Sequence, residues 1–295
     1  MDIKTNSLRA WLLAARPKTL TGASVPVMIG CALAYHHQHF NVMVAVLCFM
    51  FAFLMQIDAN FINDLFDYLK GSDREDRLGP ERACSQGWIT RRAMTWGIAV
   101  TTIVAALVGL CLLFYGGMEL IFVGAACILF AFLYTAGPYP LAYHGWGDVL
   151  VLVFFGFVPV GVTFYIMSGM WTADVTLASL ACGLVIDTLL LVNNYRDRDQ
   201  DKQSGKKTLV VRYGAQAGLQ MYFFAGLAAC LCCLAMLKAG HSYAAFLPLL
   251  YLLRHVKVTL KMGSINHGKA LNTILADTSI NILLFGILLS LGCVL

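Results

Sequence analysis

The chain has 295 residues, with 21 Lys and Arg against 16 Asp and Glu and a formal net charge of +5. Charged residues make up 13% and hydrophobic ones 59%, where a soluble domain carries about 25% charged residues. A soluble fold is excluded, and so mild a basic excess calls for no nucleic-acid partner.

Residues 7–15 have the composition of a short amphipathic helix at a membrane interface. Nearly uncharged stretches then run at roughly 19–36, 41–63, 93–115, 119–135, 149–168, 175–195, 215–237, 239–253 and 271–294. Most match the ~20 residues that cross a bilayer. They predict an all-α, polytopic membrane protein of about nine transmembrane helices in a single domain, 1–295. Stretch 239–253 is the weakest: it lies between Lys238 and Arg254 and either spans with both side chains snorkelling or lies on the surface. The start of the chain imitates a signal peptide ending in Ala32-Leu33-Ala34, but eight further spans follow, so the first is read as retained.

The basic residues test this span count. With the N-terminus inside, the cytoplasmic segments collect every Lys and Arg except Lys238, as the positive-inside rule requires. A wrong number of spans would scramble the alternation.

Nine of the ten cysteines fall in apolar blocks and only Cys84 in a polar loop, so they read as small buried residues rather than a disulfide framework. His36, His37 and His39 form a short cluster without acidic or Cys neighbours in the sequence, and read as a polar interfacial cap.

The acids are concentrated. Asp64, Asp67, Asp73, Glu75, Asp76 and Glu81 follow the second span, and Asp197, Asp199 and Asp201 follow the sixth. On a continued helix Asn60, Asp64 and Asp67 share one face at i, i+4 and i+7, while Asp197 and Asp201 are one turn apart. Each ladder ends an apolar helix on the same side, four spans apart. This hints at two repeated four-helix units, about 10–135 and 147–253, with a last helix at about 271–294. Facing carboxylate ladders repel unless cations lie between them. Magnesium suits the oxygen ligands and is commonly shared with substrate phosphates, and Lys70, Arg74, Arg77, Arg196, Lys206 and Lys207 are placed to take phosphate charge. The residues point to a divalent-metal diphosphate site at the membrane surface, opening onto an apolar bundle.

The run Asn63-Asp64-Leu65-Phe66-Asp67-Tyr68-Leu69-Lys70-Gly71-Ser72-Asp73, its continuation through Asp76-Arg77-Leu78-Gly79-Pro80, and Asn193-Asn194-Tyr195-Arg196-Asp197 with Gly205-Lys206-Lys207-Thr208 resemble the UbiA superfamily of intramembrane prenyltransferases. Arg16-Pro17-Lys18-Thr19, Gly137-Pro138-Tyr139-Pro140 and Gly147-Asp148 extend the likeness along nearly the whole chain. The Lys-Gly-Ser-Asp, Arg-Leu-Gly-Pro and Asn-Asn-Tyr-Arg-Asp forms point to the branch that prenylates 1,4-dihydroxy-2-naphthoate in menaquinone biosynthesis. The superfamily places the last Asp of the first motif four residues after the middle one. Here that position is Gly71, and Asp73 is the next acid.

The resemblance implies a bundle around a central cavity under a cytoplasmic polar cap, in a bacterial cytoplasmic membrane, with a side opening where a lipid tail lies among membrane lipids. Mg2+ on Asp64, Asp67, Asp197 and Asp201, with Asn60 beside them, would bind the diphosphate of a polyprenyl diphosphate. Lys70, Arg77, Arg196, Lys206 and Lys207 would assist. Arg16, Lys18, Asn63, Asn193 and Asn194 are candidates for substrate binding. Tyr134, Tyr139 and Tyr143 either contact substrate or form an interfacial aromatic belt. Asp58 and Asp187 sit deeper, as a base or as neutral hydrogen-bonded acids. Two alternatives stay open: another aromatic acceptor such as 4-hydroxybenzoate, and a cation-coupled transporter using the mid-span acids Asp58, Asp187 and Asp277.

Overall fold

A computed structural model describes residues 3–71 and 77–295, apart from the Lys18 side chain. All of its regular elements are helical, with no strand among the described residues. Helix α1 (Leu8–Ala15) starts at Ser7, whose hydroxyl accepts from the Ala10 amide. Then follow α2 (Leu20–His36), α3 (Val42–Leu69), α4 (Arg91–Gly116), α5 (Leu120–Thr135), α6 (Gly147–Ser168), α7 (Ala173–Gln203) and α8 (Leu209–Ala235). A short α9 (Ser242–Phe246), α10 (Leu249–Ile265) and α11 (Asn272–Val294) complete the chain. Asn41, Thr90 and Thr208 cap α3, α4 and α8 through side-chain oxygens that accept first-turn amides.

Among the described residues, six helices are long and apolar enough to cross a membrane: α3, α4, α6, α7, and α8 and α11 with their 3₁₀ extensions. α2 and α5 are equally apolar but shorter, at 17 and 16 residues. The stretch 239–253 is not one helix. Gly240 at φ 90° and Pro248 interrupt it, and the helix that follows lies at Leu249–Ile265, with Arg254, Lys257 and Lys261 along its length. Arg254 and Lys261 pair there with Asp277 of α11 at 3.1 and 2.9 Å.

α7 is the central post. Two thirds of its apolar window is buried, against 22% for α3 and α4. It packs against α8 and against the π-helical segment Leu152–Val162 of α6. A Cβ added to Gly156 in that segment would lie 2.5 Å from the Ser179 carbonyl and 3.0 Å from the Gly183 Cα. Small residues of this kind let membrane helices approach backbone to backbone. Outward-facing Phe114, Phe122 and Leu260 are 89%, 79% and 70% exposed, which suits a lipid-facing surface and not an aqueous one.

Because successive long helices run antiparallel, the C-terminal ends of α3, α5 and α7 meet the N-terminal ends of α2, α6 and α8 on one side. Cross-links between their connections hold them there: Lys70 Nζ donates to the Thr135 carbonyl at 2.5 Å, and Arg212 donates to the His144 carbonyl at 2.7 Å. Both acidic segments lie at this end.

Candidate active site

A polar cavity of about 210 Å³ opens where these helix ends converge. α3 contributes Asn63 and Asp67; α7 contributes Asn193, Asn194, Arg196, Asp197 and Asp201. Tyr134, Tyr143, Lys206, Arg16 and Arg77 also line it. The four-residue steps Asn63 to Asp67 and Asp197 to Asp201 put each pair on one helix face, and the two faces look into the same space.

Asp67, Asp197 and Asp201 each have a cationic partner. Arg82 donates to Asp67 Oδ2 at 2.8 Å, and the Tyr143 hydroxyl reaches Oδ1 at 3.4 Å. Arg196 clasps the neighbouring Asp197 with two bonds of 2.7 and 2.6 Å, and its remaining nitrogen donates to Asn272 Oδ1 at 2.9 Å. Asn272 in turn donates to the Leu78 carbonyl, tying α11 to the connection after α3. Lys206 lies 3.5 Å from Asp201 Oδ1. Burial alone would depress its pKa, but the carboxylates of Asp201 and Asp67 overcome this and hold the ammonium above the ordinary lysine value. Lys206 thus occupies the place between the two ladders that the sequence reserves for a cation. Lys70 and Lys206 each sit 4.8 Å from the Tyr143 ring. Burial, aided by the Lys206 charge, lowers Lys70 against the pull of Asp67.

Five expected positions lie elsewhere. Asp64 does not face the cavity: its carboxylate accepts the Ala83 and Cys84 amides at 2.9 and 2.8 Å, so it anchors the connection between α3 and α4. The shared face expected for Asn60, Asp64 and Asp67 is therefore divided, since at 100° per residue Asp64 falls far enough round the helix to meet that connection. Asn60 points deeper and donates to the Ala15 carbonyl and to Thr19 Oγ1, both at 3.0 Å. Lys207 is exposed and uses its backbone amide to reach the Tyr143 carbonyl. Tyr139 is 56% exposed and stacks on His144 with centroids 3.5 Å apart. Lys70 sits at the rim. Asp73, with Arg74, Glu75 and Asp76, falls outside the described residues, as does the Lys18 side chain. Asp58, outside both cavities, accepts from the Thr101 and Thr102 hydroxyls at 2.5 and 2.8 Å and joins α3 to α4.

Two charged residues of the cavity were given no role from the sequence. Arg82 enters from the connection after α3, in a charged run that gives no hint of its Asp67 partner. Asp148 stands at the first turn of α6, lines the cavity, and has a buried Oδ1 without a hydrogen-bond partner. The available signal was an acid at the start of an apolar helix.

Beneath the polar cavity lies an apolar one of about 610 Å³, running between α2, α3, α4, α5 and α6. The two share Arg16, Asn63, Tyr134, Leu190 and Asn193. Arg16 is held there with φ 52°, an uncommon backbone conformation for a residue with a side chain. Asn63 Oδ1 accepts from Thr135 Oγ1. A charged headgroup above and an apolar tail below would meet at this ring of residues.

The sequence pattern of the UbiA prenyltransferase family matches residues 23–270. A 1,4-dihydroxy-2-naphthoate octaprenyltransferase of Haemophilus influenzae is 36% identical, with 97% of this chain and 96% of that protein covered. One of Escherichia coli is 38% identical over 82% of this chain and 81% of that protein. The fold is shared with a UbiA homologue from Archaeoglobus fulgidus, solved bound to GPP and Mg2+, at a TM-score of 0.70, 15% identity and coverage of 97% and 99% of the two chains. By the family match and by these relatives, the chain belongs to the UbiA prenyltransferase family.

Proposed function

We propose that the protein transfers a polyprenyl chain from polyprenyl diphosphate to 1,4-dihydroxy-2-naphthoate, releasing diphosphate and carbon dioxide and giving the hydroquinone form of demethylmenaquinone. The carrying observation is the junction of a carboxylate- and cation-lined cavity with an apolar one three times its volume. The names of the bacterial relatives support the acceptor, and their identity to this chain supports carrying it over.

The donor set fits a hard dication. Asn63, Asp67, Asp197 and Asp201 offer amide and carboxylate oxygens into one space. Mg2+ held by these residues would draw charge from the diphosphate as it leaves. Lys206 and Arg82 then turn from carboxylates, and Arg77 from the Pro80 carbonyl, to phosphate oxygens, binding the headgroup with charge-assisted hydrogen bonds. The apolar cavity takes the chain and excludes water from the allylic carbon. Tyr134, at the junction, presents its ring to the carbon where positive charge develops. Arg16 meets the acceptor's carboxylate. The ring carbon forms its bond to the prenyl carbon as the bond to diphosphate breaks, and the carboxylate departs as carbon dioxide. Asp148 Oδ1 is positioned to take a proton from a ring hydroxyl and so enrich the ring.

The basic residues up to Arg212 support this end and the N-terminus in the cytoplasm of a bacterial cell, the membrane being the cytoplasmic one, with α2 to α8, α10 and α11 as nine passes. The reading is tested with purified protein in lipid, Mg2+ and a short polyprenyl diphosphate, supplied in turn with 1,4-dihydroxy-2-naphthoate and 4-hydroxybenzoate. Prenylated product with carbon dioxide from the first acceptor alone is the expected result. Product from 4-hydroxybenzoate alone would keep the site and overturn the acceptor.

A further inference from the structure

The histidines after α2 have partners that the sequence did not reveal. His37 and His241 each place Nε2 2.9 Å from the same Oδ2 of Asp174. One ligand atom from each of the three residues lies within 4.8 Å of the others. They come from three separate elements: the residue after α2, the first turn of α7, and the turn between Gly240 and α9. Asp174 and His241 are each 3% exposed, whereas the His37 side chain keeps 27%, so the cluster opens to solvent on one side. The His36 ring packs on His241 at 4.2 Å.

Hydrogen bonding alone does not satisfy this group. His241 Nδ1 is buried with no partner, so the ring is held through Nε2 alone. With the Nε2 protons displaced, the two imidazole nitrogens and the carboxylate oxygen, all within 4.8 Å of one another, are a donor set that a dication with nitrogen and oxygen ligands takes.

We propose that His37, Asp174 and His241 form a binding site for a transition-metal dication, with zinc favoured by two imidazoles and one carboxylate. Both Nε2 atoms and Asp174 Oδ2 are the protein ligands, and water enters the remaining position from the exposed His37 side. Binding displaces whatever protons the two Nε2 atoms carry. The site is separate from the diphosphate cavity: Asp174 precedes Asp197 by 23 residues on α7, or about 35 Å along a helix. Its role is to clamp the ends of α2 and α7 to the turn before α9.

The test uses the full chain, purified without a histidine tag, stripped by chelator and dialysed against zinc chloride in excess Mg2+. Bound zinc is counted by elemental mass spectrometry, and thermal unfolding is followed in parallel. The wild type is expected to bind one zinc at this site and to unfold at a higher temperature with it. His241→Gln and the partly exposed His37→Gln should each weaken binding at least about tenfold and remove the thermal shift, with prenyl transfer unaffected. Asp67→Asn should retain the zinc. No zinc in the wild type, equal zinc and thermal shift in His37→Gln, or loss of the zinc in Asp67→Asn would each overturn the site.

Discussion

Arg82 and Asp67 form a 2.8 Å ion pair in which the two side chains are only 8% exposed each. They join the end of α3 to the connection that follows it, 15 residues later. Removing one member of a buried pair strands the other charge, at a cost of about 3–5 kcal/mol. Arg82→Gln and Asp67→Asn should therefore each lower the unfolding temperature, and Arg82→Gln should raise KM for prenyl diphosphate. In the double variant Arg82→Gln with Asp67→Asn, much of the stability should return. Thermal unfolding of the two singles and the double reads the coupling; strictly additive losses would contradict it.

Asp64 and Asp67 stand three residues apart in the same motif, yet they should fail differently. Asp64 holds two backbone amides, and a charge-assisted hydrogen bond contributes about 1.5–3 kcal/mol. Asp64→Asn keeps one acceptor and loses one of these bonds. It should lower stability and slow turnover by loosening the connection while leaving the apparent Mg2+ affinity near normal. A Mg2+ titration of activity checks this. A large rise in the Mg2+ requirement would mean that Asp64 is a ligand after all.

The helical bundle and the two acidic segments were legible in the sequence because apolar blocks and clustered acids are one-dimensional signals. Membrane insertion imposes the first, and the scarcity of charge in lipid makes the second conspicuous. Less legible was which acid on a helix turn faces the cavity. Asn60, Asp64 and Asp67 share a broad stripe, and only the path of the 80–89 segment, with its amides turned to Asp64, separates them. Arg82 and Asp148 were missed because their partners are set by packing between distant segments. The histidines after α2 read as a cap for the same reason: Asp174 and His241 are 137 and 204 positions further on. The 239–253 stretch stayed open in the sequence because hydropathy records apolarity and not the Gly240 and Pro248 breaks within it.

The apolar cavity should act as the measure of chain length. Gly124 lines it, and a Cβ added there meets nothing within 4 Å. Gly124→Phe fills open space without displacing backbone. The preference for a three-unit over an eight-unit prenyl diphosphate should rise roughly tenfold or more, read as the ratio of kcat/KM values. An unchanged ratio would place the chain elsewhere.

Lys70 and Lys206 should respond oppositely to alkaline pH. Burial lowers Lys70, so it loses its proton first as pH rises, whereas the Asp201 and Asp67 carboxylates keep Lys206 charged beyond the ordinary lysine range. Lys70→Arg, whose guanidinium stays charged, should move the alkaline fall of kcat/KM to higher pH. The pH profiles of the wild type and this variant decide it; coincident alkaline limbs would mean that Lys70, at the rim, does not reach the headgroup.

The most direct measurement is the Mg2+ dependence of naphthoate prenylation by the wild type, Asp67→Asn and Asp201→Asn in lipid, with folding of each checked by thermal unfolding. Turnover that requires Mg2+ in the wild type and falls at least about 10²-fold in each folded variant is the expected result, because both carboxylates serve one metal diphosphate. Metal-independent turnover, or a folded variant of either aspartate working near the wild-type rate, would contradict it.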